Sequence, residues 1–313
     1  MEPAVITVTL NPAIDKTITL PRFEVGGLNR ASQIRIDPGG KGINVAKVLK
    51  KFGVDVLATG FIAGDQGNLL RNQLNERAIQ TDFIHVAGET RTNFKIVDEE
   101  AGITTEINEV GFPISDQDIT NLKERLRSYL SSNSVIVFAG SLPQGASDQT
   151  YYELIQFANQ AGAKAILDAD KAALREGIKA KPYAIKPNIF ELEQLLTRKL
   201  DTDQKIVEAG KELIEQGISL IIVSMGSKGA IVLNQKEAYR ITPFPITPKS
   251  TVGAGDSMVA TLVYSLLENK NLEEIAKWVT TAGTITATKP GTEVCSLEEV
   301  KQAIHKINVK KLL

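Results

Sequence analysis

The sequence predicts an α/β protein built on a mostly parallel sheet. Two observations carry this. Short β-branched runs alternate with amphipathic stretches at helical spacing, as βαβ units require. Two regions, about 12–37 and 90–108, break that rhythm with strand-like alternation and no intervening helix.

The buried-strand runs are 5–10, 55–60, 135–139, 164–168 and 220–224, and the helical patterns between them are 43–52, 67–77, 116–130, 149–161 and 203–216. The last third reads as mainly helical, over 255–268, 272–288 and 296–307. In the second irregular region, alternation through Thr92, Phe94 and Ile96 and then Thr104, Glu106 and Asn108, around a turn at 98–102, predicts a hairpin. The two irregular regions together form a small sheet standing off the main one, either surface decoration or a lid over a cleft that excludes water.

Composition removes several function classes. The chain has 313 residues, long enough for one large α/β domain with its own core. Lys and Arg number 36 against 37 for Asp and Glu, without the basic excess that nucleic acid or an anionic membrane would select. A single cysteine, Cys295, excludes a disulfide framework within the chain and suits a reducing compartment. With only His85 and His305 beside it, a Cys/His zinc site lacks ligands. Met1-Glu2-Pro3-Ala4 shows no basic region followed by a long apolar one, so no signal peptide is expected, and no apolar run reaches the length of a membrane span. A soluble, cytoplasmic protein is expected.

Four glycine-bearing segments carry chemistry. Gly253-Ala254-Gly255-Asp256 precedes a helix; glycines there let N–H groups converge on an anion at the helix start, and Asp256 can accept a proton from a hydroxyl. A plain helix cap explains the same residues. Gly39-Gly40-Lys41-Gly42-Ile43-Asn44 suits close approach of backbone to an anion or a sugar, with Lys41 for charge and Asn44 for hydroxyls, or else a tight strand-to-helix turn. It matches neither a Walker A loop nor a dinucleotide fingerprint. Lys186-Pro187-Asn188 with Glu191 fits water-mediated Mg²⁺ or a helix cap with an acidic first turn. Ser224-Met225-Gly226-Ser227-Lys228-Gly229 ends a strand, where open α/β sheets bind ligands, or turns a hairpin into 230–233.

The order of these segments, with Asp15 after the first strand and Gly140-Ser141-Leu142-Pro143 between them, resembles the ribokinase-like (PfkB) carbohydrate kinase family along the whole chain. The stretches 40–49 and 250–258 are most similar to bacterial 1-phosphofructokinases, with tagatose-6-phosphate kinases as near relatives. The resemblance implies one kinase domain over 1–313, a three-layer α/β/α sandwich with a β lid. It implies ATP-dependent phosphorylation of a ketohexose phosphate: fructose 1-phosphate at O6, with tagatose 6-phosphate or fructose 6-phosphate as the alternative.

By the same resemblance Asp256 is the base, and Gly253, Ala254 and Gly255 form the anion hole. Lys186, Asn188, Ser224, Gly226, Ser227, Lys228, Gly229 and Gly255 lie around ATP, and Asn188 and Glu191 organise Mg²⁺ through water. Asp15, Gly39, Gly40, Lys41 and Asn44 contact the sugar, and Arg91 and Ser141 join Lys41 at its existing phosphate. A monovalent cation, K⁺, is also implied, although Ser250-Thr251-Val252 departs from the Asp-Thr-Thr of other members. The lid sheet offers a homodimer contact.

Overall fold

The computed structural model describes residues 4–313; Met1–Pro3, part of the stretch read above as lacking a signal sequence, lie outside the described residues. The chain opens with β1 (Val5–Thr9), β2 (Ala13–Leu20) and β3 (Gln33–Gly39), then α1 (Lys41–Lys51), β4 (Leu57–Ile62), α2 (Gly64–Glu76) and β5 (Gln80–His85). β6 (Arg91–Asp98) and β7 (Ile103–Asn108) form the expected hairpin, closed by Gly102 N–H donating to Asp98 O at 2.9 Å. There follow α3 (Asp116–Arg127), β8 (Val135–Ala139), α4 (Thr150–Gln160), β9 (Lys164–Asp168), α5 (Lys171–Gly177), β10 (Ala184–Ile185), α6 (Ile189–Leu196) and α7 (Asp203–Glu215). The carboxy-terminal part holds β11 (Leu220–Ser224), β12 (Ala230–Asn234), β13 (Ala238–Thr242), α8 (Ala254–Leu267), α9 (Leu272–Ala287), α10 (Leu297–Ala303) and β14 (Asn308–Lys311).

Ten strands make the large sheet, in the order β14-β13-β12-β11-β10-β9-β8-β1-β4-β5. From β11 to β5 every pairing is parallel; β12, β13 and β14 close one edge antiparallel. The parallel strands are apolar on both faces because helices cover both. In β8, Val135, Val137 and Ala139 join one core with α1, α8 and α9, while Ile136 and Phe138 join the other with α3, α4 and α7. The result is a three-layer α/β/α sandwich.

The small sheet has the order β3-β2-β6-β7. β2 and β6 run parallel with Asp15 opposite Asn93 and Thr17 opposite Lys95, so the side chains of Asp15, Asn93 and Lys95 share one face. On the other face Ile34, Ile36, Ile103 and Ile107 are more than two-fifths exposed.

The carboxy-terminal third is less helical than its periodicity predicts. The helix expected over 296–307 ends at Ala303, passes through a 3₁₀ turn at Ile304–Lys306 and gives way to β14. β14 pairs with β13, with Lys311 opposite Tyr239, because the antiparallel edge accepts one more short strand. Its sequence, Asn-Val-Lys-Lys, has too few apolar residues to announce a strand.

Candidate active site

The loops at the carboxyl ends of the parallel strands meet over one end of the large sheet, where open α/β sheets bind ligands. After β8 comes Gly140-Ser141, at the end of β9 stands Asp168, after β10 comes Lys186, and at the end of β11 Ser224. α8 begins nearby at Ala254.

Asp256 lies in the first turn of α8 and is 7% exposed. Gly253 precedes the helix at φ 78°, a left-handed conformation that glycine adopts without strain. The first N–H groups of a helix have no carbonyl of their own. Here Ala254 N–H donates back to Thr251 O at 3.3 Å, and among the described residues those of Gly255 and Asp256 have no acceptor. Of the expected Gly253-Ala254-Gly255 anion hole, Ala254 N–H is thus spent on Thr251, while the N–H groups of Gly253, Gly255 and Asp256 have no acceptor among the described residues. Lys186 Nζ reinforces it, because a Cβ on Gly255 would lie only 3.2 Å from that nitrogen.

Asn44 Nδ2 donates to Asp256 Oδ2 at 2.8 Å and fixes the carboxylate. Burial pushes the Asp256 carboxyl above the usual range, and the negative charge of Asp168 adds to the rise. A carboxylate so placed is a better proton acceptor than an exposed aspartate.

Asp168 is the centre of the charge arrangement, and sequence reasoning missed it. It is 1% exposed; Lys41 Nζ donates to its Oδ1 at 3.0 Å, and Lys186 Nζ stands 3.4 Å from its Oδ2. Burial opposes its ionisation, but the two lysines outweigh burial and hold its carboxyl below the usual range. Burial likewise works against the charge on Lys41, yet Asp168 and then Asp256 hold its ammonium well above the ordinary lysine range. Lys41, expected at the sugar's phosphate, thus turns its ammonium toward Asp168 and the interior of the site. The Asp-Ala-Asp at the end of β9 was the available signal, since a carboxylate at the carboxyl end of a parallel strand faces the crevice.

A second carboxylate comes from the small sheet. Asp15 is 3% exposed and accepts Lys95 Nζ at 2.8 Å and Asn93 Nδ2 at 3.1 Å. Gly39 must be glycine here, because its Cβ would meet Asp15 Cγ at 2.5 Å. Gly40 caps α1 at φ 111°. Lys95 and Asn93 were not foreseen. The side-chain oxygens of Asn44 and Asn93 are buried with no hydrogen-bond partner, so both remain as acceptors for donors from a ligand.

Arg91, at the start of β6, is anchored through Nη2 on Asn11 O at 3.0 Å and through Nη1 on Glu109 O at 3.2 Å, with Ser141 Oγ 3.5 Å from Nη2. The structure thus brings together Arg91 and Ser141.

Asn188 and Glu191 form a reciprocal capping box at the start of α6: Asn188 Oδ1 accepts Glu191 N–H at 2.9 Å, and Glu191 Oε2 accepts Asn188 N–H at 2.8 Å. That spends the amide oxygen and one carboxylate oxygen and leaves the other Glu191 oxygen for water. The Lys186-Pro187-Asn188 loop lies against the turn after β11, with Ser224 N–H donating to Pro187 O at 3.0 Å. Gly226, Ser227 and Lys228 form an exposed 3₁₀ turn at its rim, and Gly229 is held at φ 88°, where a Cβ would strike Ile241 O. The segment is a hairpin turn between β11 and β12, and it also borders the crevice.

Residues 8–299 match the family described as pfkB family carbohydrate kinase. The chain is 38% identical over 309 residues to a 1-phosphofructokinase of Borreliella burgdorferi, covering 98% of this chain and 99% of that protein. It is 34% identical over 308 residues to a tagatose-6-phosphate kinase of Staphylococcus epidermidis, covering 97% and 99%. The crystal structure of phosphofructokinase-2 from Escherichia coli in complex with potassium superimposes with a TM-score of 0.93 at 28% identity, covering 98% of this chain and 99% of that one.

Proposed function

Because this chain belongs to the pfkB family of carbohydrate kinases, we propose that it transfers the γ-phosphoryl group of ATP to O6 of fructose 1-phosphate. It is a phosphotransferase acting on a sugar hydroxyl. The observation that carries the reading is the setting of Asp256: a buried, proton-hungry carboxylate beside unused backbone N–H donors at the start of α8, with Lys41 and Lys186 within its electrostatic reach. Those are the parts phosphoryl transfer requires.

Asp15, with its oxygens fixed by Lys95 and Asn93, orients the ring hydroxyls, and Asn44 places the attacking hydroxyl against Asp256. Asp256 takes that hydroxyl's proton as the new O–P bond forms and the bond to the leaving nucleoside diphosphate breaks. The N–H groups of Gly255 and Asp256 and the Lys186 ammonium stabilise charge on the transferring group. Lys41 sits beside that path, and Arg91 with Ser141 holds the phosphate already on the sugar. Ser224, Gly226, Ser227, Lys228 and Gly229 line the nucleotide side.

The donor set fits Mg²⁺ carried by phosphates and water: no cluster of three or more His, Cys, Asp or Glu that could hold a metal is present among the described residues, and Mg²⁺ needs few protein ligands. The free oxygen of Glu191 would hold its water; when bound, the ion supplies positive charge to the phosphate oxygens. A K⁺ site beside Ser250 and Val252 belongs to the same proposal, supported by the potassium named for the similar Escherichia coli structure.

The small sheet acts as a lid, with segments 12–37 and 90–108 part of one kinase domain. Its exposed isoleucine face is the contact for a second copy. No helix among the described residues is long and apolar enough to cross a membrane, and the cytoplasm is the proposed location.

The test is an ADP-release assay on a substrate panel. Fructose 1-phosphate should give the highest kcat/KM. If tagatose 6-phosphate or fructose 6-phosphate exceeds it, the substrate assignment is wrong and only the kinase activity stands.

A further inference from the structure

A cavity of about 310 Å³ lies where α1, the end of α2 and the segment after α9 come together. It shares no lining residue with the site described above. Lys47, Lys50 and Lys51 reach it from α1, and Arg77 from the end of α2.

The partners of these cations are sparse. Lys47 Nζ donates to Pro38 O at 3.1 Å and Lys51 Nζ to Val294 O at 2.9 Å, and neither makes an ion pair among the described residues. An ammonium has three donors, so each keeps unspent N–H groups. Lys50 pairs with Asp55, whose side chain is 92% exposed. The two carboxylates in the lining, Asp37 and Glu293, are both engaged by Arg35 from outside the cavity, at 2.7 and 3.5 Å. Asp37 also accepts the Thr292 hydroxyl at 2.8 Å and lies 3.9 Å from Arg77. Five cations thus stand against three carboxylates. Burial lowers the Lys47 ammonium to about 8 despite the negative charges of Asp37, Asp15 and Asp256, and the positive charge of Arg77 adds to the drop.

A solubilising basic surface would spread such charges over convex ground. Here separate segments of the chain turn them into one concavity, where low-dielectric walls focus the field. Ile79 and Val294 add apolar wall. The volume sits at the lower end of the roughly 300–1,000 Å³ of small-molecule sites, too small for a nucleotide-sized guest with room to spare.

We infer that this cavity binds a small phosphorylated organic anion, at a site separate from the one that holds Asp256. The Lys47, Lys51 and Arg77 donors take the phosphate oxygens through charge-assisted hydrogen bonds, and Ile79 and Val294 pack the carbon skeleton.

The experiment is calorimetric titration of the full chain with phosphoglycolate, a phosphate ester with no free hydroxyl to act as acceptor. The crevice is first saturated with a non-hydrolysable ATP analogue and the sugar phosphate. One further saturable site is expected. The double substitution Lys51→Gln, Arg77→Gln should weaken it by about ten-fold or more, while Lys186→Gln leaves it unchanged. Both replaced residues are exposed, and thermal unfolding of each variant verifies the fold; the single substitutions give the same direction with smaller size. Absence of a saturable site with the crevice filled, unchanged affinity in the double variant, or loss of binding in Lys186→Gln would overturn the inference.

Discussion

Helix α8, packed on the large sheet, and the small sheet each deliver a buried aspartate to the crevice, and they surround it differently. Asp15 on the small sheet is locked by a buried ammonium, Lys95, and an amide, Asn93. Asp256, at the edge of the large sheet's helical layer, has a single amide partner, Asn44, and its nearest cations are drawn to Asp168 instead. An ion-paired, hydrogen-bonded carboxylate is fixed in geometry, which suits orienting hydroxyls. A carboxylate denied a direct cation and pressed by a neighbouring negative charge gains affinity for a proton, which suits a base. In the proposed reaction the same residue type does two jobs because of what its surroundings place against it.

That contrast can be broken at either end. The largest effect is expected for Asp256→Asn, which should lower kcat by about 10²–10⁴-fold, the usual span of a general base, with nucleotide affinity retained in calorimetry. Asp168→Asn comes next: it leaves Lys41 and Lys186 without their shared counter-charge, and denaturant unfolding should show a loss of about 3–5 kcal/mol. Lys95→Met leaves the Asp15 charge buried and unpaired, again at about 3–5 kcal/mol at most; its kinetic signature is a raised KM for the sugar phosphate with KM for ATP unchanged. An equal rise in both would deny Asp15 its orienting role. Asn188→Ala removes a cap and should cost about 0.5–2 kcal/mol in unfolding. A far larger loss of kcat than of stability there would show that the Asn188–Glu191 pair serves the metal as well as the helix.

Most of the fold and half of this contrast were legible in the sequence. Asp256 and Gly253 sit in consecutive residues whose glycine is required by a left-handed φ, so local chemistry announces them. Gly39, Gly40, Lys41 and Asn44 are equally local. The Asn188–Glu191 spacing was visible too, but it suits capping and water-mediated metal binding alike, and the capping box is seen only in the folded chain. Asp168 was hidden because its partners, Lys41 at the start of α1 and Lys186 in the loop after β10, lie far from it in the sequence, and its own strand reads as ordinary buried β. The Lys95–Asp15 pair depends on the parallel register of β2 with β6, which no periodicity reveals. β14 escaped because a four-residue polar edge strand depends on its neighbour rather than on its own composition.

The most direct test of the contrast is the pH dependence of kcat/KM in the wild type, Asp168→Asn and Asp256→Asn. As the proposed base, Asp256 would work only when deprotonated, so activity should fall as pH drops through its folded-state pKa. Burial and Asp168 raise that pKa, so the acid limb should lie above the ordinary carboxylate range. Removing the Asp168 charge should move the limb to lower pH, and Asp256→Asn should abolish it. A limb that stays in place in Asp168→Asn, or persists in Asp256→Asn, would contradict the assignment of Asp256 as the tuned base.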